Sequence, residues 1–200
     1  MGVDAAVAAL RRGEPVVLPT DTVYGLCANP HREEAVRAVA RLKGRPEGMP
    51  MALLAAELDA IVEALPELRA SISLVEALLP GPYTLVLPNP AGRFTWLAGE
   101  NPYSIGARVP DLPQPARAVL DQVGLVAATS ANLHGGPDPA RLEDVPDEIA
   151  AAAGALLDAG ELPGTPSTVL DLTGSQPRVL REGAVSAAEA LETIARVATE

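Results

Sequence analysis

Two pairs of polar side chains, each pair separated by one residue, are the positions in this sequence best suited to chemistry. Lys43 and Arg45 lie in ARLKGRPEGMPM. Residues i and i+2 of an extended segment project to the same side, so these two cations can converge on one anion. Ser130 and Asn132 lie in AATSANLHGG, directly after an apolar run. A hydroxyl and an amide at the end of a strand can hydrogen-bond a phosphate or a ribose. Together the two pairs suggest an anionic ligand.

Each pair also has an explanation that needs no ligand. Basic residues in the last turn of a helix offset the helix dipole, and a following glycine and proline, here Gly44 and Pro46, end the helix. Ser130 and Asn132 could instead form an Asx or ST turn that closes a strand into a glycine-rich loop. The spacing alone leaves both explanations open.

Two arginines are further candidate ligands for an anion. Arg108 lies in YSIGARVPD, between apolar neighbours of a strand-like segment, where a charge is unusual unless it faces a cleft. On an edge strand the same side chain would snorkel to water. Arg181, in RVLREGA, is explained more simply as a surface arginine between a strand and a helix.

The hydroxyls that follow the apolar run PVVLP form another unusual feature. Two threonines, an aspartate and a tyrosine lie within residues 20–24 of PTDTVYG. They could form a polar turn from a strand to a helix, with Gly25 at a tight φ and Thr20, Asp21 and Thr22 as local caps. They could also line a pocket at the end of the strand.

Absent motifs narrow the chemistry. The sequence has no Walker-type or dinucleotide-type glycine loop, no HExxH helix and no GxSxG elbow. A phosphate or a carboxylate would therefore have to be held by side chains. The candidates are Lys43, Arg45, Arg108 and Arg181.

The composition bounds the class of protein. Of 200 residues, 48% are hydrophobic and 2% aromatic, and the formal net charge is -11. Few rings are available to stack on bases, and a negative field opposes polyanions, so strong direct nucleic-acid binding is not expected. The single cysteine, Cys27, excludes an internal disulfide and favours a reducing cytoplasm. No apolar run reaches about 18 residues, so we expect no membrane span.

Hydrophobic periodicity predicts the elements that position these residues. Helical spacing covers residues 3–12, 32–42, 57–65, 68–79, 114–122, 143–153 and 186–198. Strands are predicted at PVVLP, MALLA, YTLVLP, SIGARVP, LVAATS, STVLDL and RVL. The alternation predicts an α/β fold with helices packed on a mixed sheet, and the short link between the last two strands favours antiparallel pairing there. No linker or internal repeat interrupts residues 1–200, so we expect a single domain.

The motifs and their order resemble those of the YrdC-like threonylcarbamoyl-AMP synthases. The matching segments are LPTDTVYGL, LKGRP, PGPYTLVLP, SIGARVPD, ATSAN, STVLDL and VLREGAV. The resemblance implies a twisted, open α/β sheet with a concave ligand cleft, in the short single-domain form. It also implies a nucleotidyltransferase that joins L-threonine, bicarbonate and ATP into threonylcarbamoyl-AMP and releases pyrophosphate. That product feeds the threonylcarbamoyl modification of the tRNA adenosine beside the anticodon, carried out with other proteins.

The resemblance also implies a role for each matching position. The catalytic group at the nucleotide phosphates would be Lys43, Arg45, Ser130 and Asn132. Further contacts to ATP would come from Ser104, Asp138 and Arg181. The residues holding L-threonine would be Thr22, Arg108, the backbone at Ala128, and Ser167. Mg2+ would share the neutralisation of phosphate charge, and catalysis would be mostly positioning and charge neutralisation.

Three positions depart from the family pattern. Met49 and Leu54 stand where many longer members have the asparagine of an N-P-L motif and a histidine. Asp138 stands where a phosphate-contacting serine often follows S-A-N, and an aspartate repels a triphosphate unless Mg2+ lies between them. The alternatives to a synthase are a paralogue that keeps the nucleotide cleft without the activity, an RNA-binding module, and a regulatory ATP-binding protein.

Overall fold

One mixed β-sheet organises the part of the chain that the structure, a computed structural model, describes, namely residues 2–46 and 48–197. Its strands within these ranges are β1 Val16–Pro19, β2 Tyr24–Ala28, β3 Ala52–Ala55, β4 Tyr83–Pro88, β5 Ser104–Arg108, β6 Leu125–Ser130, β7 Ala155–Leu156, β8 Thr168–Asp171 and β9 Arg178–Arg181. Their order across the sheet is β7-β1-β2-β6-β3-β5-β4-β8-β9. Three neighbouring pairs are parallel (β1 with β7, β3 with β5, β4 with β8) and the others are antiparallel. The predicted fold class, an open mixed sheet flanked by helices, is confirmed.

Helices pack on both faces of this sheet because strand side chains alternate between its two sides. The α-helices of the described residues are α1 Val3–Arg12, α2 Glu33–Leu42, α3 Leu58–Ala64, α4 Ile72–Glu76, α5 Gln114–Val123, α6 Asp147–Ala152 and α7 Ala187–Val197. Short 3-10 helices span Pro66–Ser71, Thr95–Leu97 and Leu142–Asp144. None of these helices is long and apolar enough to cross a bilayer.

Unequal coverage of one face creates a cleft. On that face, α1 and α5 pack against apolar residues of β1, β6 and β7, such as Val16, Val126 and Ala155. No described residue of β4, β5, β8 or β9 belongs to this apolar cluster. The larger cluster buries the opposite face beneath helices that include α2, α3, α6 and α7. The sheet is therefore covered on one side and half covered on the other.

Several element boundaries differ from the sequence-based prediction. The predicted helix 68–79 is divided between a 3-10 helix and α4, because Ser71 has a non-helical backbone (φ -127°, ψ 25°). The predicted helix 143–153 begins only at Asp147, after Pro146, since the residue before a proline is pushed out of the helical region. The predicted helix 186–198 is α7, and residue 198 lies outside the described residues.

Two strands were missed, β2 and β7. β2 is buried at every position and therefore shows no alternation of apolar and polar residues. β7 has only two residues, too few for a periodic pattern. Of the two explanations offered for the hydroxyls after PVVLP, the turn from a strand into a helix is therefore wrong. Residues 20–23 instead connect β1 to the antiparallel β2, and Gly25 lies in β2 without a left-handed φ.

Candidate active site

The open half of the sheet forms a cleft of about 560 Å³. That volume is in the range of sites for small molecules and cofactors. Of the eleven residues to which the family resemblance assigns a role, eight line it: Arg45, Ser104, Arg108, Ala128, Ser130, Asp138, Ser167 and Arg181. The other three are buried next to residues that line it: Thr22, Lys43 and Asn132. The fold thus gathers the candidate residues from six distant sequence segments at one place.

The turn between β1 and β2 is organised by one hydroxyl. Thr20 Oγ1 donates to the carbonyl of Val23 (2.7 Å) and accepts from the backbone N–H groups of Thr22 (3.3 Å) and Val23 (3.2 Å). Thr20 and Thr22 are both buried, at 3% and 1% exposure. The threonine hydroxyls after PVVLP therefore serve the turn, and of these residues Thr20 also lines the cleft. The Tyr24 hydroxyl instead donates to Asp158 and to the carbonyl of Gly160.

Arg108 is a buried cation held by this turn. Its Nη2 donates to Asp21 Oδ1 (2.5 Å) and to Thr22 Oγ1 (3.1 Å). β5 lies between β3 and β4, so the alternative of an edge-strand arginine that snorkels to water is wrong. Arg108 Nε and Asp21 Oδ2 are buried without a hydrogen-bond partner among the described residues. This ion pair therefore leaves one buried donor and one buried acceptor unsatisfied.

Burial dominates the electrostatics of the pair. It lowers the pKa of Arg108, an effect that Asp21 opposes. It raises the pKa of Asp21, against the attraction of Arg108. Arg108 nevertheless remains a cation, because its ordinary pKa is so high.

At the end of α2, the helix-termination explanation holds. Gly44 has a left-handed φ of 61°, and the backbone N–H groups of Gly44 and Arg45 donate to the carbonyls of Arg41 and Ala40. This is the Schellman pattern of bonds. The segment is therefore not extended, and Lys43 and Arg45 do not project side by side. Arg45 reaches the cleft, where its guanidinium donates to Pro50 O (2.9 Å) and Thr129 Oγ1 (3.3 Å).

Lys43 is directed at the S-A-N segment. Its ammonium donates to the carbonyl of Ser130, to the carbonyl of Asn132 (2.6 Å) and to Asn132 Oδ1 (2.8 Å). These bonds use all three donors of the ammonium. Burial and the nearby charge of Arg45 lower the pKa of Lys43 to about 8, and Asp138 opposes the shift. Lys43 thus braces the end of β6 against the end of α2.

The S-A-N segment also forms the turn that the sequence allowed. Ser130 Oγ donates to Asn132 Oδ1 (2.6 Å), and Asn132 Nδ2 donates to the carbonyl of Gly136 (2.6 Å). Ser130 still lines the cleft, whereas Asn132 lies behind it. The turn and ligand explanations are therefore compatible at Ser130.

On the far side of the cleft, Arg181 and Ser167 are joined. The guanidinium of Arg181 donates to the carbonyl of Ser167 (2.9 Å), and Ser167 Oγ lies 2.8 Å from Thr84 Oγ1. Ser104 Oγ donates to the carbonyl of Asn101 (3.0 Å). Each of these side chains is already oriented by the protein.

Some cleft residues were missed from the sequence. Asp171 Oδ2 accepts from Arg178 (2.5 Å), and its Oδ1 accepts from Thr173. Thr173 and Arg178 also line the cleft. Arg178 faces the same side as Arg181 because the register shifts between β8 and β9. A bulge has no sequence signature in RVLR, so only the structure could reveal this residue. Met49 and Leu54, the positions that depart from the family pattern, also line the cleft.

Comparisons with known proteins agree on one family. The model of the Sua5/YciO/YrdC domain, described as "Telomere recombination", matches residues 8–183. A protein of Mycobacterium tuberculosis is 35% identical over 96% of this chain and 89% of its own length. A Bacillus subtilis protein named threonylcarbamoyl-AMP synthase is 33% identical over 90% of this chain and 53% of its own length.

A solved structure extends the comparison to the fold. The crystal structure of Pyrococcus abyssi Sua5, determined in complex with L-threonine, has a TM-score of 0.85 and 33% sequence identity. The match covers 96% of this chain and 57% of that chain. This chain therefore spans little more than half of the Bacillus and Pyrococcus proteins, and most of the Mycobacterium protein.

Proposed function

We propose a function from one premise: this chain belongs to the Sua5/YciO/YrdC family. The proposed function is that of a threonylcarbamoyl-AMP synthase, a nucleotidyltransferase that forms threonylcarbamoyl-AMP and pyrophosphate from L-threonine, bicarbonate and ATP. Relatives that match 88–96% of this chain carry that name. The activity serves the modification of tRNA.

The observation that carries the proposal is the presence of two separately anchored cations in one cleft. Arg45 is held by Pro50 and Thr129, and Arg108 is held by Asp21 and Thr22. An enzyme that joins an amino acid to a nucleotide must hold a carboxylate and a polyphosphate at once. Anchored guanidinium groups suit both anions.

The proposed reaction needs positioning more than acid–base chemistry. The amine of threonine adds to CO2 with loss of a proton, or to bicarbonate with loss of water, and gives a carbamate. A carbamate oxygen then attacks the α-phosphorus of ATP, the bond from that phosphorus to the bridging oxygen breaks, and pyrophosphate leaves with the electron pair. Holding the reacting atoms in line and neutralising the developing charge are the contributions that side chains can make.

The proposed nucleotide contacts follow the sequence motifs. Arg45 and Ser130 would face the phosphates, and Ser104 and Arg181 would complete the nucleotide side of the cleft. Lys43 would reach a phosphate only by giving up one of its three protein acceptors. Otherwise it would act with Asn132 as a brace that holds Ser130 in place.

The proposed threonine contacts lie around Arg108. Its guanidinium would bind the carboxylate, and Thr22, the backbone at Ala128, and Ser167 would surround the rest of the amino acid. Arg108 Nη1 makes no hydrogen bond to any described residue, and Nε lacks a partner. Donors are therefore available for a carboxylate.

Mg2+ fits the cleft as a companion of ATP. Among the described residues, no cluster of three or more acidic, histidine or cysteine side chains could hold a metal by itself. Asp138 lines the cleft and makes no hydrogen bond to those residues, so one carboxylate is free to contact the ion. Mg2+ typically takes one or two carboxylates together with substrate phosphates. When bound, it would offset phosphate charge next to Asp138.

The proposal extends to partners and location. Proteins that transfer the threonylcarbamoyl group to tRNA would receive the product, and the chain itself would bind nucleic acid weakly. The cytoplasm, favoured by the single cysteine, and a single domain over residues 1–200 stay predictions.

The test is a reconstitution with ATP, Mg2+, L-threonine and bicarbonate, read out as threonylcarbamoyl-AMP by mass spectrometry and as pyrophosphate. Pyrophosphate release should require threonine and bicarbonate together. Arg45→Ala should lower kcat/KM at least about tenfold, the effect of losing one charge-assisted bond, without changing Tm by more than a few degrees. Arg117→Ala is the matched control, because Arg117 is paired with Glu57 and Asp121 outside the cleft.

Other results would contradict the proposal. ATP binding without any adenylate would indicate a paralogue that keeps the cleft alone. Hydrolysis to ADP that ignores threonine would indicate a different ATP-dependent activity. An Arg45→Ala variant with full activity and a lower Tm would make Arg45 part of the helix termination only.

A further inference from the structure

One row of positions across the cleft floor carries almost no side chain. Gly106 on β5 pairs with Ala52 on β3, and Ala52 also pairs with Ala128 on β6. All three residues line the cleft. Neighbouring strands lie about 4.8 Å apart, so the row spans about 10 Å. We call these residues the floor row.

The backbone does not require glycine at position 106. Gly106 has no left-handed φ. A Cβ placed there would lie 3.4 Å from Ala52 Cα, 3.6 Å from Ala52 Cβ and 3.7 Å from the carbonyl of Met51, which are ordinary contacts. Glycine also weakens the interior of a strand and often marks a place where a ligand approaches the backbone closely. The missing side chain therefore has its reason in the cleft.

The floor row lies midway between the two anchored cations. On β3, Ala52 follows Pro50 by two residues and precedes Leu54 by two. The carbonyl of Pro50 holds Arg45, and Leu54 pairs with Arg108. One cation therefore lies at each end of residues 50–54, with Ala52 at their centre.

The same spacing recurs on β5. Ser104, Gly106 and Arg108 alternate along the strand and all line the cleft. Arg108 is 9% exposed, and its Nε has no partner among the described residues. A buried donor without a partner beside a bare floor indicates that a ligand completes this surface.

We infer that Gly106 lies beneath the point where the two substrates meet, and that its missing side chain sets how closely the carbamate oxygen can approach the α-phosphorus. This inference rests on the proposed function. The nucleotide would extend from Gly106 towards Arg45 and Ser104, and threonine would extend towards Arg108. Because the floor row has almost no side chains, both substrates could then lie close to the backbone where the new bond forms.

Gly106→Ala tests this assignment. A methyl group at the meeting point should displace one substrate from the other by about 1 Å, and a misplacement of that size lowers the rate about 10²-fold. We expect kcat to fall about 10²-fold. The KM of each substrate, measured at a saturating concentration of the other, should rise about tenfold, because the two no longer fit side by side above the floor row. Tm should equal or exceed that of the unmodified protein, because alanine is better tolerated in a strand. Gly174→Ala is the matched control, since Gly174 is exposed, has no left-handed φ and lies outside the cleft.

A binding experiment separates this inference from the proposed function. Calorimetry with an ATP analogue that cannot be cleaved between the α- and β-phosphorus, and with L-threonine, needs no turnover. Each ligand alone should bind Gly106→Ala with nearly normal affinity, while the two together should bind at least tenfold more weakly than they bind the unmodified protein. If the unmodified protein forms no adenylate, the proposed function fails, but this measurement still tests the position of the floor row.

Three outcomes would overturn the inference. The first is an unchanged kcat in Gly106→Ala, and the second is an equal fall of kcat in the Gly174→Ala control. The third is weaker binding of one ligand measured alone that accounts for the whole fall in activity. If Gly106→Ala does not fold, Ala52→Val fills the same floor from β3 and is judged by the same outcomes.

Discussion

At the scale of single residues, the cleft contains cations whose donors are already partly used by the protein. Lys43 donates three hydrogen bonds to the S-A-N segment. Arg108 Nη2 donates two hydrogen bonds to the β1–β2 turn. Such anchoring fixes the position of the charge before a ligand arrives and reduces the ordering that binding requires. It also limits which donors a substrate can use. A fork that included Arg108 Nη2 would have to displace Asp21 or Thr22.

Arg108→Lys tests the carboxylate contact. Lysine keeps the charge and can keep the ion pair with Asp21, but it loses the planar group that offers Nε and Nη1 to a ligand. The KM for threonine should rise roughly ten- to a hundredfold, which corresponds to about 1.4 to 3 kcal/mol for a charge-assisted bond, while the KM for ATP should barely change. Steady-state kinetics in both substrates measure this.

The control for that experiment is Arg117→Lys, an exposed arginine outside the cleft. An unchanged KM for threonine in Arg108→Lys would remove Arg108 from the amino-acid site. A raised KM for ATP alone would move Arg108 to the nucleotide side.

The pKa of Lys43 predicts a dependence of stability on pH. Its value of about 8 in the folded protein lies below the ordinary 10.5. Between these two values the unfolded chain binds more protons than the folded one, so Lys43 makes the free energy of unfolding rise as pH increases through this window. Below pH 8 the residue contributes no slope. Lys43→Met should therefore show a smaller rise from pH 8 to 10 in denaturant titrations.

Lys43→Met will also lose stability at every pH, because Asn132 Oδ1 and two carbonyls lose a donor. The informative quantity is therefore the slope and not the absolute stability. Identical slopes for the two proteins would mean that Lys43 keeps an ordinary pKa in the folded state.

At the scale of elements, alternation and helical spacing predicted most of the sheet and the helices, but not how the elements meet. Helix α1 has the predicted bounds, and the strands of SIGARVP and LVAATS are β5 and β6. β2 was missed because a strand buried on both faces has no alternation. This omission hid the hairpin that holds Arg108. The order of strands depends on pairings between distant segments, which no local pattern contains.

The residues that share the cleft were easier to predict than their bonding partners. Motif order identified side chains that the fold gathers in one cleft. The sequence could not predict that Asp21 pairs with Arg108, 87 positions away, or that Lys43 is bound to the S-A-N segment. Arg178 faces the cleft because of a bulge, and the bulge depends on the register between β8 and β9.

Thr20→Val tests the β1–β2 turn as an element. The substitution keeps the shape but leaves the backbone N–H groups of Thr22 and Val23 without their acceptor in a buried place. The free energy of unfolding should fall by about 1 to 3 kcal/mol. The KM for threonine should rise as well, because this turn carries both groups that hold Arg108. Urea denaturation and kinetics measure the two effects.

Thr193→Val is the control for this variant, since its hydroxyl donates to the carbonyl of Glu189 and accepts from Arg196, both within α7 and outside the cleft. A Thr20→Val protein that loses stability but keeps its KM for threonine would make the turn a structural element without influence on the site.

At the scale of the whole molecule, charge is divided unevenly between the cleft and the rest of the surface. The chain carries a formal charge of -11. Of the described residues that line the cleft, four are arginines and two are aspartates, a formal charge of +2. A local positive potential inside an acidic protein can attract small anions, because field lines concentrate in a cleft, while a long polyanion also meets the negative surface around it.

This uneven distribution of charge predicts how strongly the protein binds duplex RNA and how that binding depends on salt. A gel-shift or filter measurement with duplex RNA should detect almost no binding at about 150 mM salt, because few phosphates can reach the cleft arginines while the surrounding surface repels the others. Binding that emerges at about 20 mM salt should weaken steeply as salt is added, and ATP should compete with it, since both ligands would use the same arginines. Arg45→Ala should weaken it further, whereas Arg117→Ala, which changes an arginine outside the cleft, should change it little. Tight binding that persists in added salt and ignores ATP would instead require an RNA-binding surface away from the cleft, and the division of charge would then not govern the choice of ligand.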